Sequence, residues 1–237
     1  MRKAMVVGAL LLVAAGQAQA DYQCSVNPQD DVVISPQTVQ VTGASGNLVI
    51  TQTGDIQRNG KSVSPDDATR QKAIDYQAAL RRDLPWIDRG AHQRLEKGRV
   101  ALDGVIVEKL GQGSKVRSRL TKLDAQLKQQ MNRIIERRSD GLTFHHQAIQ
   151  QVRQDGERLV QSALGGIVQD SLNEMGTQPS GGGNSLQAMM GSLGGLQQAV
   201  QAEWSNQEAD FQQFGHEVCH RVTALEEQRN ALMSGLK

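Results

Sequence analysis

Between Asp30 and Val63, hydrophobic and polar residues alternate in short runs, DVVIS, QTVQVTG and NLVITQTG, separated by Pro36 and by GASGN. Alternation of β-branched residues with period two marks half-buried strands. In DIQRNGKSV, Asn59-Gly60 stands between Ile56 and Val63, the residue pair that favours a two-residue hairpin turn. Segment 21–63 is therefore expected to form a small antiparallel β-meander. It is too short to bury a core of its own and should pack on the helical remainder of the chain.

From Ser64 onward the period becomes helical. Ser64-Pro65-Asp66-Asp67 predicts a helix start, with Ser64 as N-cap, Pro65 at the first helical position and carboxylates near the positive end of the dipole. Pro85 is expected to interrupt the helix, and no proline follows until Pro179. Leu120, Leu123, Leu127, Met131 and Ile134 form an apolar stripe at coiled-coil period, and Ile149, Val152, Gly156, Leu159, Ala163 and Ile167 form a second. Ser139-Asp140-Gly141 between them predicts a turn, with a continuous helix through 139–141 left open. Helices of about 24 and 34 residues, about 36 and 51 Å long, would then make an elongated antiparallel hairpin.

GTQPSGGGN, residues 176–184, reads as a flexible linker before a last helical region from Ser185. That region should break or pack closely at Gly191, Gly194 and Gly195. Glycines there and at 165 and 166 suit close helix–helix approach, or else a Gly-rich amphipathic segment touching lipid. The expected fold is mainly α with a small N-terminal antiparallel β-meander and an elongated helical hairpin or bundle over 64–237.

Composition supports that class. Hydrophobic residues make up 38 % of the chain and charged residues 22 %, which excludes a disordered polymer. Phe, Trp and Tyr total seven, too few for an aromatic-rich sheet core or a base-stacking platform. Thirty glutamines supply uncharged polar surface.

The first twenty residues, MRKAMVVGALLLVAAGQAQA, have the form of a secretory signal peptide. Arg2 and Lys3 precede an apolar run from Met5 to Ala15, and Ala18-Gln19-Ala20 fits a cleavage site after Ala20. The run is too short to span a bilayer of roughly 30 Å, and no later stretch is apolar enough, so an exported, periplasmic-type chain without a transmembrane segment is expected. Without Arg2 and Lys3 the chain carries 24 basic and 25 acidic residues, net −1. That balance does not favour nucleic acid as a partner. Cys24 and Cys219 are the two cysteines, and in an oxidising compartment such a pair most simply forms one disulfide, tying the N-terminal segment to the last helix.

Candidate chemistry is sparse. His216-Glu217-Val218-Cys219-His220 fits H-E-x-x-H, in which two histidines on one helix face hold zinc and the glutamate acts as base. No third histidine follows, and Cys219 is already assigned to the disulfide. A solvated helix face is the reading adopted, with zinc-dependent hydrolysis at His216, Glu217 and His220 as a remote alternative. His145 and His146 are adjacent and would point to different sides of a helix. No phosphate loop, activated nucleophile or carboxylate pair is recognisable, so no enzyme and no cofactor is expected. The charge pattern says more: residues 115–138 hold eight basic residues, Lys115, Arg117, Arg119, Lys122, Lys128, Arg133, Arg137 and Arg138, against two acids, net +6. This face would meet anionic envelope components such as lipopolysaccharide, phospholipid headgroups or acidic proteins, or else pair with the acidic last helix.

SRLTKLDAQLKQQMNRIIERRSDGLTFHHQAI, SPQTVQV and GNLVI, with DYQAALRRDLPWID, SLGGLQ and DFQQFG, resemble the YggN family over nearly the whole of residues 22–237. That family consists of exported proteins of Gram-negative bacteria with no assigned function. The resemblance implies a periplasmic location and supplies no activity, cofactor or residue role. The expected function is a non-enzymatic interaction or chaperone-like module of the cell envelope. Binding of a lipid or other amphiphile between the helices is the alternative; the oligomeric state stays open.

Overall fold

The computed structural model describes residues 24, 26–176 and 185–236. The expected signal peptide, residues 1–20, and linker residues 177–184 lie outside them. The elements are β1 (Asp30–Ile34), β2 (Thr38–Gly43), β3 (Gly46–Thr51), β4 (Ile56–Arg58), β5 (Lys61–Val63), α1 (Asp67–Leu110), α2 (Lys115–Ile134), β6 (Ile135–Arg138), β7 (Gly141–Phe144), α3 (Ala148–Gly176) and α4 (Ser185–Gly235). The chain is mainly helical with an antiparallel sheet built largely from its N-terminal part.

The strands alternate as expected from β1 to β5, and Asn59 adopts the positive φ of 52° that its hairpin position requires. The sheet is nevertheless larger than the meander. Its order is β5-β4-β3-β2-β1-β7-β6, because the β6–β7 hairpin pairs antiparallel with β1 through Val32↔Phe144, Val33↔Thr143 and Ile34↔Leu142. Ser139-Asp140-Gly141 does turn the chain, but the turn joins two strands rather than two helices, with Arg138 paired to Gly141. The expected direct hairpin of α2 and α3 is therefore interrupted by strands. Pairing with β1 decides this, since a lone IERR-SD-GLTF hairpin has too little apolar surface to hold itself.

Two apolar rows cross the inner face. One runs Leu48–Val41–Val32–Phe144–Ile135, and the other Val63–Ile56–Ile50–Val39–Ile34–Leu142, ending at Arg137 on the edge strand. Against them lie Ala73, Tyr76, Ala79, Leu80 and Leu84 of α1 and Leu225 and Leu232 of α4. Each fully buried aliphatic side chain here contributes roughly 1.5–3 kcal/mol. Asp30 is buried in the same layer, accepting from the Ser45 N–H (2.8 Å) and hydroxyl (2.7 Å) and from Arg229 of α4 (3.0 Å). This ties β1 to α4. The disulfide Cys24–Cys219 adds a covalent tie between the same parts, with Cα atoms 5.4 Å apart.

Three details of the helices differ from the sequence reading. The N-cap of α1 is Asp66, not Ser64: its carboxylate accepts from the Thr69 N–H at 2.7 Å, a stronger acceptor than a hydroxyl at the positive helix end. Pro85 does not interrupt α1 but lies within it. The lost helical bond costs about 3 kcal/mol, and the flanks are held by Leu80 and Leu84 on the sheet and by Trp86, which meets Phe214 at 5.4 Å between centroids and carries the Arg221 guanidinium 4.0 Å above its ring. Finally, α4 does not break at Gly191, Gly194 or Gly195.

The stripes on α2 and α3 face inward, with Leu120 and Ala163 buried. Two contacts midway along α1 show its direction against α4: Asp83 meets Arg221 and Arg94 meets Asp210, so the two run antiparallel. Beyond the sheet, α1 continues from Ile87 to Leu110, about 35 Å. Ile106, Val116 and Leu120 form a separate small cluster, backed by Leu102, Leu110 and Ile167.

Candidate functional site

The basic segment 115–138 forms α2 and β6, and the structure sets it between carboxylates. Arg117 chelates Asp103 of α1 (2.8 and 2.9 Å), and Lys128 reaches Glu96 of α1 (3.0 Å) and Asp124 (2.8 Å). Arg119 bonds Asp170 of α3 (2.7 Å), and Arg133 bonds Asp155 of α3 (2.7 Å). Arg137 bonds Asp88 of α1, and Arg138 lies 3.6 Å from Asp140 in the hairpin. Lys115 and Lys122 are exposed. Most of the expected basic face is thus a charge ladder that registers α2 between α1 and α3. The carboxylates come from those helices and not from α4, whose Asp210 instead meets Arg94 and Lys97 of α1.

The ladder shows in the acidities. Hydrogen bonds from Arg99 and then Lys128 bring the Glu96 carboxyl down to about 2. Asp103 is lowered first by its bond from Arg117, Asp155 by that from Arg133, Asp170 by that from Arg119 and Asp210 by that from Lys97.

His216 and His220 are exposed on one face of α4. Cys219 between them is bound to Cys24, and Glu217 accepts from Arg221 at 2.7 Å. Among the described residues no group of three His, Cys, Asp or Glu is arranged to hold a metal ion. The glycines are also placed differently from the close approach expected of them. Among the described glycines of those runs, a Cβ at Gly165, Gly194 or Gly195 would meet open space and one at Gly166 would meet Arg119; the surroundings of Gly191 lie outside the description.

Polar groups converge where α1, α2 and β6 meet. His92, Asn132, Glu136 and Arg137 line a cleft of about 330 Å³. Beneath it lies the buried carboxylate of Asp88, with one oxygen 3.4 Å from His92 Nε2 and the other bonded to Arg137 Nε. Nearby, Asp31 of β1 gathers both adjacent histidines after β7: His146 Nδ1 at 2.6 Å and His145 Nδ1 at 3.8 Å, while His145 Nε2 faces Glu136 at 3.6 Å. The cleft offers guanidinium, amide and imidazole groups to an anionic or carbonyl ligand, with the Glu136 carboxylate as its one acidic lining group. Asp88 and His92 carry a visible signal, the i,i+4 spacing on a helix. Arg137 becomes their neighbour only because β6 joins the sheet.

Comparison with known proteins agrees with the sequence resemblance. The family model described as "Protein of unknown function (DUF2884)" matches residues 24–237. The chain is 61 % identical over 239 residues to "Uncharacterized protein YggN" of Escherichia coli strain K12 and of Escherichia coli O157:H7, with both chains covered completely. No solved structure matches it.

Proposed function

The chain belongs to the DUF2884 family of proteins of unknown function, and from that premise we propose that it is an exported periplasmic protein, cleaved after Ala20, acting as a non-enzymatic interaction or chaperone-like module of the cell envelope. The Cys24–Cys219 disulfide suits an oxidising compartment. No helix among the described residues is long and apolar enough to cross a membrane.

The observation that carries the reading is the uneven burial along the helices. The sheet end holds the main core, whereas Ile106 is the one apolar side chain buried in the outer part of α1, Ile87–Leu110, and Val100 is 55 % exposed. Such helical arms offer half-buried apolar and amide surface to an extended or unfolded polypeptide. Envelope polypeptides suit these arms better than anionic lipid or polysaccharide, because carboxylates of α1 and α3 already engage most of α2's cations.

Suppression of aggregation tests this directly. The oxidised mature protein, mixed with a chemically unfolded test protein, should lower its light scattering, and Val100→Glu should weaken the effect without shifting the thermal midpoint. No suppression at excess protein would overturn the reading. The second reading, an amphiphile held between the helices, draws on the open space beside Gly165, Gly194 and Gly195. Native mass spectrometry of gently purified protein should then show a bound mass, and an empty protein would remove it.

A further inference from the structure

The sheet has an open side at β6, the last strand in its order among the described residues. Glu136 and Arg137 are consecutive on this strand, so their side chains point to opposite faces. Both line the same cleft. A cleft lined from both faces must run along the edge of the strand.

The backbone parity of that edge is set by the pairing. Arg138 and Gly141 close a two-residue hairpin loop, and the His145 N–H donates to the Ile134 carbonyl at 2.8 Å. Even-numbered residues of β6 therefore turn their backbone groups toward β7, and odd-numbered ones turn them outward. The Ile135 N–H is already spent on the Met131 carbonyl of α2. The Ile135 carbonyl and both backbone groups of Arg137 remain to face the cleft.

Charge decides what fits. Arg137 uses its Nε on Asp88, while its two Nη groups make no hydrogen bond among the described residues and its side chain is 56 % exposed. The Asn132 amide and His92 line the same cleft, as does the Glu136 carboxylate, which lies on the opposite face of β6 from Arg137 and from any residue paired with it. A second copy of this chain fits poorly: antiparallel pairing of two β6 edges about Arg137 would set guanidinium against guanidinium. Pairing with the other edge, β5, would bring up Lys61.

We propose that the β6 edge is a strand-addition site for an extended segment of another polypeptide, with an acidic residue directly opposite Arg137. The incoming residue would exchange two backbone hydrogen bonds with Arg137 and place its carboxylate against the Nη groups, beside Asn132 and His92. The site lies at the sheet end and stands apart from the role of the helical arms.

The test uses the full mature, disulfide-bonded protein and a blocked peptide of about nine residues, alternating Val and Thr with Glu at its centre. Binding is followed by fluorescence anisotropy, and amide exchange is read at Arg137. The peptide should bind and slow exchange of the Arg137 amide. Replacing its Glu by Lys, or methylating the Glu backbone nitrogen, should each weaken binding by roughly tenfold or more. In the protein, Arg137→Glu should reverse the preference between the Glu and Lys peptides; should that variant fail to fold, the peptide series on the unaltered protein still decides. Equal binding of the three peptides, absence of binding, or unchanged exchange at Arg137 would overturn the proposal.

Discussion

Removing the disulfide gives the sharpest stability prediction. Cys24 and Cys219 are 195 residues apart, so the bond closes a loop containing nearly the whole folded chain. Releasing a loop of that length returns up to about 5 kcal/mol of conformational freedom to the unfolded state. The folded state should change little, because β1 stays paired to β2 and β7 and Asp30 stays bonded to Ser45 and Arg229. Residues 24–237 unfold with an entropy of about 0.45 kcal/mol/K. The double variant Cys24→Ser, Cys219→Ser should therefore melt about 10 °C below the oxidised protein. Thermal unfolding followed by far-ultraviolet circular dichroism measures this, with superimposable spectra expected at room temperature. A shift under about 2 °C would show that the bond does not restrict the unfolded chain in this way, and loss of helix in the unheated variant would show that the folded state depends on it.

Other perturbations act on the packing and the ion pairs. Asp83 is buried and bonds Arg221 at 2.5 Å while Arg221 covers Trp86; Asp83→Ala removes this buried partner, leaves Arg221 paired with Glu217, and should cost about 2 kcal/mol in urea unfolding. A Cβ at Gly141 would run into the Ile34 carbonyl oxygen, so Gly141→Ala should loosen the β1–β7 joint, seen as faster amide exchange at Ile34 and Phe144. Acid should weaken the helix ladder. Glu96 titrates near 4.5 when unfolded and at about 2 when folded, so its contribution is complete above the first value and is lost as pH falls toward the second. Asp103, Asp155, Asp170 and Asp210 act in the same direction. Glu96→Gln should flatten the fall in thermal midpoint over that window, and an unchanged slope would count against the ladder.

Local pattern alone was enough for the strands from Asp30 to Val63, the inward stripes on α2 and α3, and the cysteine pair, because alternation, helical spacing and redox chemistry are local or countable. The β6–β7 hairpin was not legible in that way. Ile135–Phe144 follows a strong helical stripe, and only β1 supplies the pairing that makes it a sheet. Asp140-Gly141, a frequent hairpin dipeptide, was the one sign that the turn joined strands. Pro85 misled because its local cost is real while the packing of Leu84 and Trp86 that outweighs it is tertiary. The +6 charge of residues 115–138 had the same ambiguity: the residues were visible, but whether carboxylates faced them depended on which helices lay alongside. The cleft at Arg137 inherits both difficulties, since it exists only where α1 meets the edge strand.

A photo-crosslinking residue placed at Val100 in intact cells tests whether the helical arms act on other polypeptides of the envelope, as proposed above. Covalent adducts with envelope polypeptides are expected from Val100 and none from the buried position Leu48, with the protein recovered from the periplasmic fraction without residues 1–20. Recovery from the cytoplasm with residues 1–20 still attached, or no adduct from Val100, would rule this role out.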